Sequence, residues 1–216
     1  MLKKNKTPTP LQLISALILM LFIISFSVVL SLNFRPLYYN LIEPLQLEEI
    51  SGLPREEIKA NYNALISYNA IFNRDELRFI NLSMSENGRI HFEEVRVIFV
   101  VIQYLCIAAF IVSLGLIIYH RRKRLKHNYL RLTAIFTIFI PLILGGLITL
   151  NWDKFFVTFH EIFFNNDYWI FDARTDPIIL LLPDTFFLYS AIGILIVAGI
   201  GSGICLLLSF IGNSKR

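Results

Sequence analysis

Residues 11–32 read LQLISALILMLFIISFSVVLSL and contain no charged side chain. An α-helix rises about 1.5 Å per residue, so a helix of this length crosses the ~30 Å hydrocarbon core of a bilayer. Three further apolar runs, at 95–119, 130–150 and 186–211, are also long enough, with Arg96 and Arg131 near the starts of two of them. The sequence therefore predicts an all-α membrane protein with four transmembrane helices.

The composition supports a membrane protein. Hydrophobic residues make up 56% of the 216 residues, and the mean hydropathy is +0.62, which is rare for a soluble domain. The first apolar run follows three lysines, but it is longer than the ~7–15 residue core of a signal peptide and no small-x-small cleavage motif follows it. We expect this run to be retained as an anchor.

The distribution of charge predicts the orientation. Basic residues without acids occupy the N-terminus, the loop between the second and third runs, and the C-terminus, while all 16 acids lie within 43–94 and 153–184. Lys and Arg favour cytoplasmic loops, so the basic balance (pI ≈ 9.1) indicates orientation in a cell membrane rather than nucleic-acid binding. The predicted order is cytoplasmic N-terminus (1–10), first span (11–32), extracellular cap (33–94), second span (95–119), basic cytoplasmic loop (120–129), third span (130–150), extracellular aromatic-rich interfacial loop (151–185), fourth span (186–211) and cytoplasmic C-terminus (212–216).

The cap contains local structure signals. Pro54 followed by Glu56 and Glu57 predicts a helix start, because acids near a helix N-terminus interact favourably with its dipole. Residues 77–82 are expected to be extended, and Asn87-Gly88 is expected to form a turn. The apolar face predicted for the cap helix consists of Ile58, Tyr62, Leu65 and Phe72. This small cap is expected to rest on the membrane surface or on the loop 151–185.

The loop 151–185 is dense in aromatic residues and contains both tryptophans, Trp152 and Trp169. Phenylalanines recur at helical spacing around His160, which predicts a short helix lying in the membrane interface. An alternative is that this helix is a simple anchor without any chemistry, because aromatic side chains favour the headgroup region.

His91 and His160 are the candidate catalytic residues, because each lies close to a predicted span at the extracellular side and histidine transfers protons near neutral pH. Three functions remain open from these residues. The first is a zinc-dependent membrane hydrolase whose metal site combines both histidines with Glu161 or Asp167. The second is metal-free acyl or proton transfer by the histidine pair, and the third is a non-enzymatic accessory or scaffold protein. A transporter is disfavoured, since no acid lies well inside a span.

Other features carry structural expectations only. Cys106 and Cys205 fall inside predicted spans and are interpreted as packing residues. His120 and His127 are expected to be solvated, and the pair Gly199 and Gly203 is expected to allow close helix packing.

Two segments, GRIHFEEVR at 88–96 and FHEIFFNNDYWIFDARTDPIILLLP at 159–183, resemble the lipoprotein intramolecular transacylase family of Gram-positive bacteria, as does the layout of four spans and an extracellular cap. The resemblance implies that diacylated bacterial lipoproteins are the substrate, with membrane lipid as the surroundings, and that no cofactor is used. It implies transfer of the sn-2 acyl chain of the S-diacylglyceryl group to the α-amino group of the N-terminal cysteine. The product would be a lyso-form lipoprotein.

This reaction passes through an eight-membered ring, which aromatic walls could impose by confinement. The resemblance and the position of the motifs suggest supporting residues besides the histidine pair. Donors to the reacting oxygens could be Arg96, Asn166 and Trp169, while Asp167 or Asp172 could orient a histidine. Tyr62, Phe159 and Glu161 complete the set of candidate substrate-binding or supporting residues. The sequence does not assign the separate roles of the two histidines.

Overall fold

The computed structural model describes residues 8–123, 125 and 128–214, with side chains up to residue 211. Several basic residues used to predict orientation, together with His127, therefore lie outside the described residues. Across the described part the chain forms α-helices and one 3₁₀ helix, with no β-strand. The helices are α1 (Pro10–Asn33), α2 (Arg35–Leu41), α3 (Leu47–Ser51), α4 (Arg55–Tyr68), α5 (Glu86–Arg122), α6 (Asn128–Leu150), α7 (Trp152–Phe163), the 3₁₀ helix (Pro177–Leu181) and α8 (Asp184–Ser214).

Four helices, α1, α5, α6 and α8, are long and apolar enough to cross a membrane, which confirms the predicted all-α membrane fold. The helix α1 is central, since it packs against α5, α6 and α8, and α6 also packs against α8. Hydroxyl groups join these helices across their interfaces, as Ser202 Oγ donates to the Ala134 carbonyl at 2.8 Å and Thr133 Oγ1 lies 3.3 Å from the Ala16 carbonyl. Such bonds and small residues stabilise helix packing in lipid.

The close approach of α1 to α8 occurs at a different glycine from the pair predicted. A Cβ added to Gly199 or Gly203 would meet no atom within 4 Å, whereas one at Gly201 would lie 2.6 Å from Ile23 Cγ2. The prediction of a Gly199/Gly203 contact was therefore wrong, because the face of α8 that α1 covers contains Gly201 instead.

The start of α1, the end of α5 and the start of α6 meet at one end of the bundle. His120 is buried there, 3.0 Å from Ser15 Oγ and stacked on the Tyr129 ring with 4.4 Å between ring centres. The prediction of a solvated His120 was wrong, because this side chain faces α1 while Tyr119, Arg121 and Arg122 beside it are exposed.

The cap lies at the opposite end and shares its hydrophobic core with the segment before α8. Tyr38 of α2 stacks on Tyr62 of α4 with 3.8 Å between ring centres, and its hydroxyl donates to the Leu181 carbonyl of the 3₁₀ helix at 2.8 Å. Asn61 bonds both the N–H and the carbonyl of Ile80, which fixes the irregular segment after α4. The cap thus rests on the loop 151–185, called the second loop below, which is one of the two alternatives that the sequence predicted.

Two local expectations for the cap had different outcomes. The helix α4 begins at Arg55 with Pro54 at its N-cap, as the proline and the two glutamates predicted. Phe72 does not extend its apolar face, because α4 ends at Tyr68 and the Phe72 side chain is 87% exposed.

Candidate active site

The first turn of α5 is held by a carboxylate from the second loop. Asp176 is buried, and its Oδ1 accepts a hydrogen bond from the Ser85 N–H at 2.7 Å. The Ser85 hydroxyl caps the helix by accepting from the Gly88 N–H at 3.0 Å. The predicted turn at Asn87-Gly88 was wrong, because these caps start α5 at Glu86. His91 consequently lies on a helix rather than in a loop.

His91 is buried in an aromatic environment. Its ring centre lies 4.7 Å from that of Phe164 and 5.5 Å from that of Phe171, and both contacts are edge-on. Only 6% of the residue is exposed. Its Nδ1 is buried and has no hydrogen-bond partner among the described residues.

His160 is positioned by its own helix, α7, which begins where the Asn151 side chain accepts from the Lys154 N–H. The His160 Nδ1 lies 2.7 Å from the Phe156 carbonyl oxygen, one turn earlier. A carbonyl can only accept, so Nδ1 carries the proton and donates it. In the neutral ring, Nε2 is then the free acceptor.

Aromatic rings enclose His160 on both sides. Trp169 stacks on it with 4.6 Å between ring centres and an angle of 27°, and the Phe156 ring centre lies at 4.2 Å. Burial lowers the pKa of His160 below its ordinary value, and the bond to the Phe156 carbonyl offsets part of that shift. This lowered pKa favours the neutral form of the His160 ring.

The two histidines face each other, with ring centres 6.2 Å apart and an angle of 32° between the rings. Phe164 packs against both rings, at 4.7 Å from His91 and 5.7 Å from His160. This geometry places one proton acceptor and one further imidazole around the same small volume. Sequence reasoning named the pair, and the structure brings it together from α5 and α7.

Glu94 is a polar residue of this site that sequence reasoning missed. It follows His91 by three residues on α5, so both side chains lie on the same helix face. Its Oε1 accepts from Asn166 Nδ2 at 2.9 Å, while its Oε2 is buried without a partner among the described residues. The signal was the spacing of Glu94 from His91, which becomes meaningful only when α5 includes both residues.

Some of the predicted supporting residues contact the pair or its neighbours. Trp169 and Phe159 both contact His160, the latter edge-on with 5.4 Å between ring centres. Asn166 reaches the site through its bond to Glu94. Trp169 and Phe159 therefore surround His160, while Asn166 is linked to the helix that carries His91.

Other predicted supporting residues lie elsewhere. Asp172 is exposed and paired with Arg174, which holds the pKa of the Asp172 carboxyl at about 2, so it does not orient a histidine. The position that Asp172 was expected to fill is taken by the Phe156 carbonyl, which bonds the His160 Nδ1. Glu161, on α7, and Asp167, in the segment after it, are exposed.

Tyr62 and Arg96 also lie away from the histidines. Tyr62 is buried in the cap, where burial raises the pKa of its hydroxyl to about 12. The Arg96 guanidinium lies over the Tyr68 ring, 4.6 Å from its centre, and donates to the Asn73 carbonyl. For metal binding, the described residues contain no group of three His, Cys, Asp or Glu side chains that could hold an ion.

Four membrane-length apolar helices, a cap at one end and a histidine pair among aromatic rings define the class of this chain as a multi-pass integral membrane protein. The model of the lipoprotein intramolecular transacylase family, Lit, matches residues 13–187. The chain belongs to this family of acyltransferases.

Solved structures of this family also resemble the chain. The structure of the membrane-integral lipoprotein intramolecular transacylase Lit from Bacillus cereus is 36% identical, with a TM-score of 0.92 and coverage of 95% of each chain. Two structures of the Bacillus cereus protein carry a single replacement of one histidine, by arginine in one and by alanine in the other. Each is 35% identical, has a TM-score of 0.85 and matches over 95% of this chain. The match covers 91% of the arginine variant and 93% of the alanine variant. The search of curated proteins finds no match.

Proposed function

We propose that the chain transfers the sn-2 acyl chain of the S-diacylglyceryl group of bacterial lipoproteins to the α-amino group of their N-terminal cysteine. The observation that carries this proposal is the His91–His160 pair, 6.2 Å apart between ring centres and surrounded by aromatic rings. The product is a lyso-form lipoprotein with one acyl chain on nitrogen and one on glycerol.

The reaction is balanced without a co-reactant. The amine nitrogen attacks the ester carbonyl carbon, a C–N bond forms, and the C–O bond to glycerol breaks. The ammonium form that predominates near neutral pH first releases one proton to solvent. On attack the resulting neutral amine loses a second proton, and one proton reaches the glyceryl oxygen. Since both reacting groups belong to one molecule, the enzyme must hold the substrate folded and move that proton.

His160 is the proposed general base. Its Nδ1 proton is held by the Phe156 carbonyl, so its Nε2 accepts the proton that the attacking amine loses. His91 then stabilises the developing oxyanion or donates to the glyceryl oxygen, using a ring nitrogen that no described residue occupies.

The aromatic walls supply the confinement that an eight-membered ring requires. Four aromatic side chains contact one or both histidines: Trp169, Phe156, Phe164 and Phe171. Rigid rings of this kind hold acyl chains and glycerol in one pose. Orientation of this kind contributes up to ~7–11 kcal/mol in well-ordered intramolecular reactions.

Glu94 is proposed to receive the substrate's amino group. An α-amino group is mostly a cation near neutral pH, and the Glu94 Oε2 is buried with no described partner on the face of α5 that carries His91. Asn166 orients the carboxylate through its bond to Oε1.

The orientation in the membrane is also a proposal. The two ends of α5 support it, because Glu86 starts the helix under the cap while His120, Arg121 and Arg122 end it. Basic ends favour the cytoplasm, so the cap and α7 face the outside and both termini face the cytoplasm.

The experiment is expression of the chain in a Gram-positive host that makes only diacyl lipoproteins. Mass spectrometry of the N-terminal peptide of an abundant lipoprotein should show an acyl group on the cysteine nitrogen and one fewer on glycerol. An unchanged diacylglyceryl peptide, with the protein inserted and folded, would refute the proposed reaction.

A further inference from the structure

A groove of about 540 Å³ lies between α5 and the loop that follows α4. It is lined in part by Tyr68, Arg74, Arg96, Val97, Val101 and Tyr104, and we call it the α5 groove. A helix turns about 100° per residue, so Val100, which also lines the groove, projects from the side of α5 opposite to His91. The α5 groove is thus separate from the candidate active site.

The α5 groove is apolar along the helix. The residues Val97, Val101 and Tyr104 are 62%, 57% and 57% exposed, respectively. They occupy the part of α5 that is long and apolar enough to cross a membrane. From Arg96 to Tyr104 the helix advances about 12 Å, which is less than the depth of one leaflet of a ~30 Å hydrocarbon core.

The cap end of the groove is basic. Arg96 is fixed over the Tyr68 ring and by its bond to the Asn73 carbonyl, and Arg74 is exposed beside it. Among the described residues no carboxylate forms an ion pair with either arginine, and the one acid of the groove, Glu93, is paired with Arg89. The groove thus has two guanidinium groups that form no ion pair with a described residue, and guanidinium groups match phosphate geometry.

We propose that the α5 groove binds one anionic phospholipid from the leaflet on the cap side. Its headgroup phosphate lies between Arg74 and Arg96, and one acyl chain lies along Val97 and Val101. Charge complementarity at one end and apolar exposure at the other select this occupant. The site is independent of acyl transfer, because it lies on the other face of α5.

Native mass spectrometry tests the site directly. The full chain is purified in detergent and supplied with equal amounts of phosphatidylglycerol and phosphatidylcholine. We expect the chain to retain phosphatidylglycerol preferentially, and Arg74→Gln to lower that retention about tenfold, the loss expected for one charge-assisted hydrogen bond. The matched control is Arg78→Gln, which changes the charge equally in the same loop but at a residue paired with Glu76. Equal retention by the two variants, or no preference in the unmodified chain, would overturn the proposal.

A second variant tests the apolar part. Val101→Trp fills the groove at an exposed position, so the thermal midpoint of unfolding should stay the same while phosphatidylglycerol retention falls. Unchanged retention would contradict the proposed acyl-chain position.

A competition experiment with a diacylated lipopeptide tests whether the α5 groove binds substrate instead. If the lipopeptide displaces phosphatidylglycerol, and Arg74→Gln raises the KM for acyl transfer, the groove holds substrate and the phospholipid proposal is wrong.

Discussion

The carboxylate of Asp176 occupies the space that a side chain at Gly88 would need. A Cβ added to Gly88 would lie 2.2 Å from Asp176 Oδ1, well inside van der Waals contact. The glycine is therefore required by the approach of the second loop to the first turn of α5, one turn before His91. Through this contact, Asp176 sets the position of the helix that carries half of the candidate active site.

Gly88→Ala should displace Asp176 and lower both activity and stability. Overpacking of this kind costs about 1–3 kcal/mol, and the lost bond from Ser85 adds to it. The measurements are the rate of lyso-form production and the thermal midpoint of unfolding. Gly115→Ala on the same helix is the control, because a Cβ there meets nothing within 4 Å, and it should leave activity unchanged. Equal behaviour of the two variants would show that the Asp176 contact is unimportant.

Replacing either histidine of the pair should abolish acyl transfer. His91→Ala and His160→Ala each remove one participant in proton transfer, and His160→Gln keeps most of the volume stacked on Trp169. Mass spectrometry should find only the diacylglyceryl peptide in all three variants. His120→Ala, at the far end of α5, should retain turnover at a lower thermal midpoint. Product formation by a folded His91 or His160 variant would remove that residue from the mechanism.

The pH dependence of kcat should follow the neutral form of His160. Burial lowers the pKa of His160, so kcat is constant at neutral pH and falls as the pH drops through a midpoint below ~6.5, the ordinary histidine value. Trp169→Leu should expose the ring and move this midpoint upwards, towards ~6.5. An identical midpoint in the variant would mean that another group controls the profile.

The lowered pKa of His160 also predicts that the stability of the fold depends on pH. A buried histidine with a lowered pKa stabilises the fold fully above the unfolded value of ~6.5, and this contribution is lost as the pH falls towards the folded value. His160→Gln should therefore flatten the pH dependence of the thermal midpoint in that range. A slope as steep as that of the unmodified chain would assign the effect to a different group.

Glu94→Gln should weaken the hold on the substrate amine while keeping a partner for Asn166. We expect kcat/KM to fall about tenfold or more, as for the loss of one charge-assisted hydrogen bond, with the thermal midpoint nearly unchanged. Glu86→Gln is the matched control, because Glu86 lies on the same helix but is exposed and paired with Arg89. A Glu94→Gln enzyme with normal kcat/KM would exclude the carboxylate from substrate binding.

The four spans, the start of α4 and the helical segment around His160 could be predicted because each depends on a local pattern. Apolar runs fix membrane helices, and Pro54 with two acids fixes a helix start. His91 and His160 could be paired because each was expected near the extracellular end of a predicted span, at a common depth. Their catalytic roles remain predictions.

The failures depend on contacts between distant residues. Asn87-Gly88 is a common turn sequence, but the carboxylate of Asp176 and the Ser85 hydroxyl start a helix there. Burial of His120 follows from how α5 lies against α1. The Phe156 carbonyl, which holds His160 in place of an aspartate, is a backbone group and has no signature in the side-chain sequence.

Because His91 and His160 lie on either side of α6, the site cannot exist while the chain is still being made up to the end of α5. It forms only after α6 has inserted and the segment carrying α7 and Asp176 has reached the cap, where Asp176 bonds Ser85. A ribosome-bound intermediate ending within α6 would hold His91 and Glu94 without their partners. Catalytic competence is thus acquired late in biogenesis, after most of the membrane domain is already in the bilayer.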